Sequence, residues 1–174
     1  MAEKALRVKN APPYLFAELD KKKRQVLASG ADLINLGVGD PDKPTSKQVI
    51  DKLIEVVQTG DADVFRYSEY EGSFEFRKAT ADFYKRRFNV DLDPHKESLL
   101  LIGSKEGIAH MFLAYIDPGD YALIPDPAFP VYYTNTLFAG GVPYKMPLLK
   151  ENNFLPDLDR IPPEIAQKAK LILM

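Results

Sequence analysis

The sequence has no cysteine and only two histidines in its 174 residues. The first absence excludes disulfides, thiolate metal sites and a cysteine nucleophile, and it is compatible with a cytoplasmic address. His95 follows Pro94 in a polar connector, and His110 falls inside an apolar helical run where a hydrogen-bonded imidazole is the simpler reading. Two such isolated residues make no metal centre. There is no run of about eighteen apolar residues and no charged-then-apolar leader with a small-residue cleavage site, so neither a membrane span nor a secretion signal is expected. An excess of one charge is also lacking: the formal net charge is −2, which gives no reason to expect nucleic acid as a partner. The mixed run Asp20-Lys21-Lys22-Lys23-Arg24 reads as a solvated helix face.

With 45% hydrophobic and 28% charged residues, the chain can build one sizeable core that buries roughly 70% of its unfolded surface. Residues 1–11 lack a period and are expected to form an extended arm. After Pro12-Pro13, the residues Tyr14, Leu15, Leu19, Val26 and Leu27 mark the apolar face of a charged helix ending near Ser29-Gly30. Leu33 to Leu36 read as a short strand that runs into Gly37-Val38-Gly39-Asp40-Pro41-Asp42. Two glycines separated by one residue let a backbone approach a ligand, and they serve a plain turn equally well.

Thr45-Ser46 opens a second helix, whose stripe Val49, Ile50, Leu53, Ile54 and Val57 is expected to be core. Phe65 to Gly72 follows as an aromatic-rich connector, the kind of segment that carries binding residues. A third helix begins at Ser73 and ends on the basic turn Lys85-Arg86-Arg87. Beyond Pro94 the elements alternate regularly. Strands at 99–102, 121–125 and 142–146 alternate with helices at 104–115 and 130–139, which describes βαβαβ with right-handed crossovers and a largely parallel sheet. Residues 147–163 look like a long connector. Glu164–Lys168 suggest a helical turn, and Leu171-Ile172-Leu173-Met174 an incipient strand, so the sequence reads as the front part of a larger polypeptide.

Ligands of such sheets lie beyond the carboxyl ends of the strands. At one of those ends the run Leu99-Leu100-Leu101-Ile102 stops at Gly103-Ser104-Lys105-Glu106-Gly107, a strand-turn-helix junction. It offers an anion unpaired backbone N–H groups, a helix dipole, a hydroxyl and an ammonium. A lysine in the first turn of a helix works against the dipole and hints at a negative partner. The plainer reading is that Ser104 caps a core helix and Lys105 points into water. At another end, Pro127 and Pro130 hold Phe129 between two stiff points. There it suits either stacking on a flat ring or capping the core from a loop.

Taken in order, several segments resemble the first half of the fold-type-I pyridoxal-phosphate enzymes of aminotransferase class I/II, most closely the diaminopimelate branch. They are Pro13-Tyr14-Leu15-Phe16, Asn35 to Asp42, Arg66 to Gly72, Ile102 to His110, Pro125 to Tyr132 and Phe138 to Gly141. The resemblance implies a three-layer α/β fold, a mostly parallel sheet with helices on both faces, present here as its N-terminal portion. Residues 1–45 would be the N-terminal arm and the start of the small domain, and residues 46–174 the first part of the large cofactor-binding domain.

The resemblance also implies roles for residues. Gly103, Ser104 and Lys105 would hold the phosphate of pyridoxal 5'-phosphate, with Phe129 stacked on its ring. Most relatives have tyrosine or tryptophan at the Phe129 position, so stacking is retained here without the polar contact. Tyr132 would stand behind that ring. Tyr67 would reach the phosphate in a neighbouring subunit, which implies a homodimer with composite sites. Tyr14, Gly39 and Lys105 would face the substrate. The family's Schiff-base lysine, pyridine-nitrogen aspartate and carboxylate-binding arginine are expected beyond Met174, so no catalytic residue lies in this chain, and on its own it is expected to be inactive. Lys105 is committed to the phosphate end. The implied reaction moves an amino group between LL-diaminopimelate and 2-oxoglutarate in lysine biosynthesis. Alternatives are another aminotransferase of the class (aspartate, alanine or aromatic), a pyridoxal-phosphate lyase, or a non-catalytic truncated domain.

Overall fold

The computed structural model describes residues 2–37, 39 and 41–174. Two compact units emerge, one made of Met1–Gly37 with Gly103–Met174 and the other of Val38–Ile102. In chain order the helices α1 (Leu6–Lys9) and α2 (Leu15–Ala28) belong to the first unit. Helices α3 (Lys47–Gln58) and α4 (Phe74–Phe88) belong to the second. The chain then returns to the first unit with α5 (Ser104–Tyr115), β1 (Tyr121–Asp126), α6 (Pro130–Phe138), β2 (Val142–Pro147), α7 (Pro163–Ala166) and β3 (Ala169–Ile172).

The first unit is built on a parallel sheet of order β2-β1-β3. β1 pairs with β2 from Tyr121↔Val142 to Asp126↔Pro147. Its pairing with β3 shifts register between Tyr121 and Ala122. As the central strand, β1 buries the consecutive residues Ala122, Leu123 and Ile124, the mark of a strand covered on both faces rather than one. Ala122 and Ile124 form a core with Phe112 of α5 and Ile116 just after it, and Tyr132, Tyr133, Leu171 and Leu173 pack around it. Each large side chain so buried contributes about 1.5–3 kcal/mol relative to exposure.

α6 starts on Pro130, whose missing N–H costs nothing at a first helical position. The fully buried Thr136 satisfies its hydroxyl by donating to Tyr132 O at 2.8 Å. The helices at 104–115 and 130–139 and the strands near 121–125 and 142–146 therefore stand within a residue or two of where the hydrophobic periods put them.

Three expected features are absent, and one is changed. Residues 99–102 form no strand. A strand needs a neighbour to complete its ladder, and here the Leu100 N–H donates instead to Glu71 O at 3.0 Å. Leu33 to Leu36 form no strand either; Ile34 and Leu36 are exposed, and the Asn35 side chain folds back to accept the Gly37 N–H at 3.2 Å. The α3 stripe Val49, Ile50, Leu53, Ile54 and Val57 is exposed rather than core, because spacing identifies a helix face and not what covers it. The extended arm expected at the start of the chain contains one helical turn, Leu6–Lys9. Val38 and Asp40 of the glycine-rich stretch lie outside the described residues.

In the second unit, Ser73 caps α4 by accepting the Phe76 N–H at 3.3 Å. Asn89, in left-handed conformation, ends the same helix after its basic last turn. No helix among the described residues is long and apolar enough to cross a membrane.

Candidate functional site

The turn that opens α5 is accessible. Gly103 adopts φ +136°, a backbone that other residues rarely take, and a Cβ there would meet nothing within 4 Å. Its carbonyl accepts the Glu106 N–H at 3.1 Å, the first bond of the helix. The amides of Ser104 and Lys105 thus fall among the leading N–H groups for which a helix has no internal acceptor. Ser104 and Lys105 are both exposed, and the N-cap of the helix is Gly103, with Ser104 its first helical residue. The capping alternative therefore fails, and an exposed hydroxyl and cation stand at the positive end of a twelve-residue helix.

Lys105 does not extend into open water. Its ammonium donates to the Tyr14 hydroxyl at 3.4 Å and lies 5.4 Å from the centre of the Phe129 ring and 5.7 Å from that of Tyr14. Residues 91 apart in sequence meet here. A cation over two aromatic faces is held by the ring quadrupoles, which keeps the ammonium beside Tyr14 and Phe129. Phe129 caps α6 and stands edge to face with Tyr132 at 5.8 Å, which fixes its ring against a partner that itself packs on the core. Phe129 keeps 37% of its surface accessible. It is therefore not sealed beneath packed side chains.

Sequence reasoning did not anticipate the group beside this ring. A cavity of about 400 Å³ is lined by Pro13, Tyr14, Asp126, Phe129, Tyr133 and Lys145, among others. Lys145 pairs with Asp126 at 3.1 Å and lies 6.0 Å from the Tyr133 ring centre. The ion pair joins the carboxyl ends of β1 and β2, on either side of the loop that leads to Phe129. Opposite charges at the ends of neighbouring parallel strands were the available signal, but reading it requires the register of the two strands. Gly39 and Tyr67 belong to the other unit; Tyr67 is fully exposed there.

The sequence model of aminotransferase class I and II matches residues 31–174. The chain belongs to that family. It is 56% identical over 172 residues to an LL-diaminopimelate aminotransferase of Aquifex aeolicus, covering 99% of this chain and 44% of that protein. An enzyme of the same name from Halothermothrix orenii is 54% identical with the same coverage. Among solved structures, BacF of Bacillus subtilis superposes with a TM-score of 0.88 and 33% identity, covering all of this chain and 44% of that one. The aspartate aminotransferase of Thermus thermophilus gives 0.87 at 26% identity, again over 44% of its length. The expected fold class, a mixed α/β aminotransferase fold represented by its N-terminal portion, is thereby established. The chain spans less than half the length of the curated relatives it matches.

Proposed function

We propose that the whole protein is a pyridoxal-phosphate-dependent aminotransferase that moves an amino group between LL-diaminopimelate and 2-oxoglutarate in lysine biosynthesis, acting in the cytoplasm as a homodimer. The observation that most supports this reading is the Lys105 ammonium held 5.4 Å from the Phe129 ring at the mouth of the Gly103 turn. That arrangement suits a ligand with an anionic tail and a flat ring. Identities of 56% and 54% to two LL-diaminopimelate aminotransferases favour that donor over aspartate or alanine.

The donor set fits the cofactor. Gly103, Ser104 and Lys105 would hold its phosphate, Phe129 its ring, and Tyr132 would keep Phe129 in place. Tyr67 would serve the phosphate in the partner subunit, while Tyr14 and Gly39 would face the substrate. When bound, pyridoxal phosphate supplies an electron sink that stabilises negative charge at the substrate's α-carbon. Lys105 has a double task in this reading. Its charge neutralises the phosphate, and because its N–H donates to the Tyr14 oxygen, the Tyr14 O–H remains free to donate to a substrate carboxylate. Residues 1–45 would contribute the arm and the start of the small domain, and 46–174 the first part of the large one.

The test is a coupled assay of the full-length protein with LL-diaminopimelate or aspartate as donor and 2-oxoglutarate as acceptor. Glutamate formed from LL-diaminopimelate supports the reading. Turnover of aspartate without turnover of LL-diaminopimelate moves the protein to another activity of its family.

A further inference from the structure

The second unit contains a side chain whose burial requires a physical account. Arg77, the fourth residue of α4, is 6% exposed. Removing a guanidinium from water is expensive and is offset only where acceptors meet it in good geometry. Here three do. Arg77 Nε donates to Gly72 O at 3.1 Å, Nη1 to Pro94 O at 2.8 Å and Nη2 to Glu69 Oε2 at 3.4 Å. Filling space would need only an apolar side chain. A planar fork adds donors in several fixed directions at once.

Two of those acceptors belong to one turn, which the Gly72 N–H closes on Glu69 O at 3.0 Å. The turn is also held from a second direction. Leu100 N–H donates to Glu71 O at 3.0 Å, and a Cβ on Gly72, at φ +83°, would run into the Leu100 side chain. The base of the 66–72 loop is therefore fastened on both sides. Its tips are bare: Tyr67 and Tyr70 are 105% and 102% exposed. An anchored base with accessible aromatic tips is a preorganised arm, because most of the ordering entropy of a contact has been met before the contact forms.

We infer that Arg77 is a positioning residue for this arm, holding residues 66–72 so that Tyr67 presents its phenol to the cofactor phosphate in a second copy of the chain. The inference rests on the role proposed above for Tyr67. Lysine at this position keeps the charge but, as a single point donor, does not reproduce the fork.

The experiment uses the full-length apoprotein and four forms: wild type, Arg77→Lys, Tyr67→Phe and the double variant. Pyridoxal phosphate affinity is measured by fluorescence titration, and amide exchange is followed over residues 66–72. Arg77→Lys is expected to weaken binding about tenfold, the scale of a lost charge-assisted hydrogen bond, and to speed exchange in the loop. In the Tyr67→Phe background it adds no further loss. An equal loss in both backgrounds, or unchanged exchange over 66–72, overturns the positioning role while leaving the cofactor reading intact. Unchanged affinity in Tyr67→Phe alone removes the role of Tyr67, and this inference with it. Should Arg77→Lys fail to fold, Glu69→Gln loosens one acceptor at an exposed carboxylate. It is expected to weaken binding about two- to threefold, and unchanged affinity there overturns the inference.

Discussion

Replacing Lys105 by methionine in the full-length protein separates an anion site from an ordinary surface lysine. Methionine keeps much of the aliphatic stem and removes the charge. One unit charge facing another at ~4 Å is worth about 1 kcal/mol in bulk water and about 4 kcal/mol near a protein surface. Lys105 is exposed, but Tyr14 and Phe129 flank its ammonium within 6 Å. The interaction should then fall between those limits, which corresponds to a loss of at least about fivefold in Kd for pyridoxal phosphate. The informative comparison is with pyridoxal, which has the same ring and no phosphate. The variant should bind pyridoxal as wild type does and pyridoxal phosphate at least about fivefold more weakly, with a shallower dependence on salt than wild type shows, because one screened charge has gone. Equilibrium dialysis of the two apoproteins at two ionic strengths measures all eight constants. Equal losses for the two ligands would mean that Lys105 supports the ring or the fold and not the phosphate. No loss for either would sink the anion site altogether.

Phe129→Ala should weaken pyridoxal and pyridoxal phosphate alike, by about three- to tenfold, the scale of an aromatic stack of about 0.5–1.5 kcal/mol; the same dialysis checks it. Tyr14→Phe removes the hydroxyl that accepts from Lys105, and steady-state kinetics should show KM for LL-diaminopimelate raised about tenfold, with little change in cofactor affinity. Phe112→Ala empties a site that is 1% exposed in the core beneath β1, at an expected cost of about 3–5 kcal/mol in denaturant unfolding. Gly72→Ala combines a positive φ with an overlap on Leu100 and should lower the unfolding free energy, measured by denaturant titration, by more than the ~1 kcal/mol that a strained backbone alone costs.

The regular α/β alternation after Pro94 was legible because each element's apolar period serves a core made from its immediate neighbours. Phe112 and Ile116 recur at helical spacing, and Ala122 to Ile124 form an unbroken buried run. Residues 99–102, 33–36 and the α3 stripe are equally apolar, yet they are neither strand nor core here. What a strand or a helix face pairs with is decided by chain remote from it, and local periodicity carries no information about that. The same limit applied to the site. Gly103, Ser104, Lys105 and Phe129 could be singled out from short segments, whereas the Lys145–Asp126 pair depends on the register of two strands.

One local oddity was more informative than any period. Both Lys105 and Arg77 place a cation near the start of a helix, where the macrodipole disfavours it. The structure resolves the two cases in opposite ways. Arg77 is buried, and the carbonyls of Gly72 and Pro94, with the Glu69 carboxylate, take up its donors. Lys105 is exposed, and among the described residues its ammonium donates to a phenol at 3.4 Å. A neutral phenol and two ring faces hold the position of a charge without neutralising it. Arg77 is thus a charge already spent on its own chain, whereas the exposed Lys105 is the one proposed to meet an anion. The same sequence signal, a cation against the dipole, accompanies a buried, hydrogen-bonded side chain in one helix and an exposed one in the other, and on the readings proposed above the burial of the side chain separates brace from binding site.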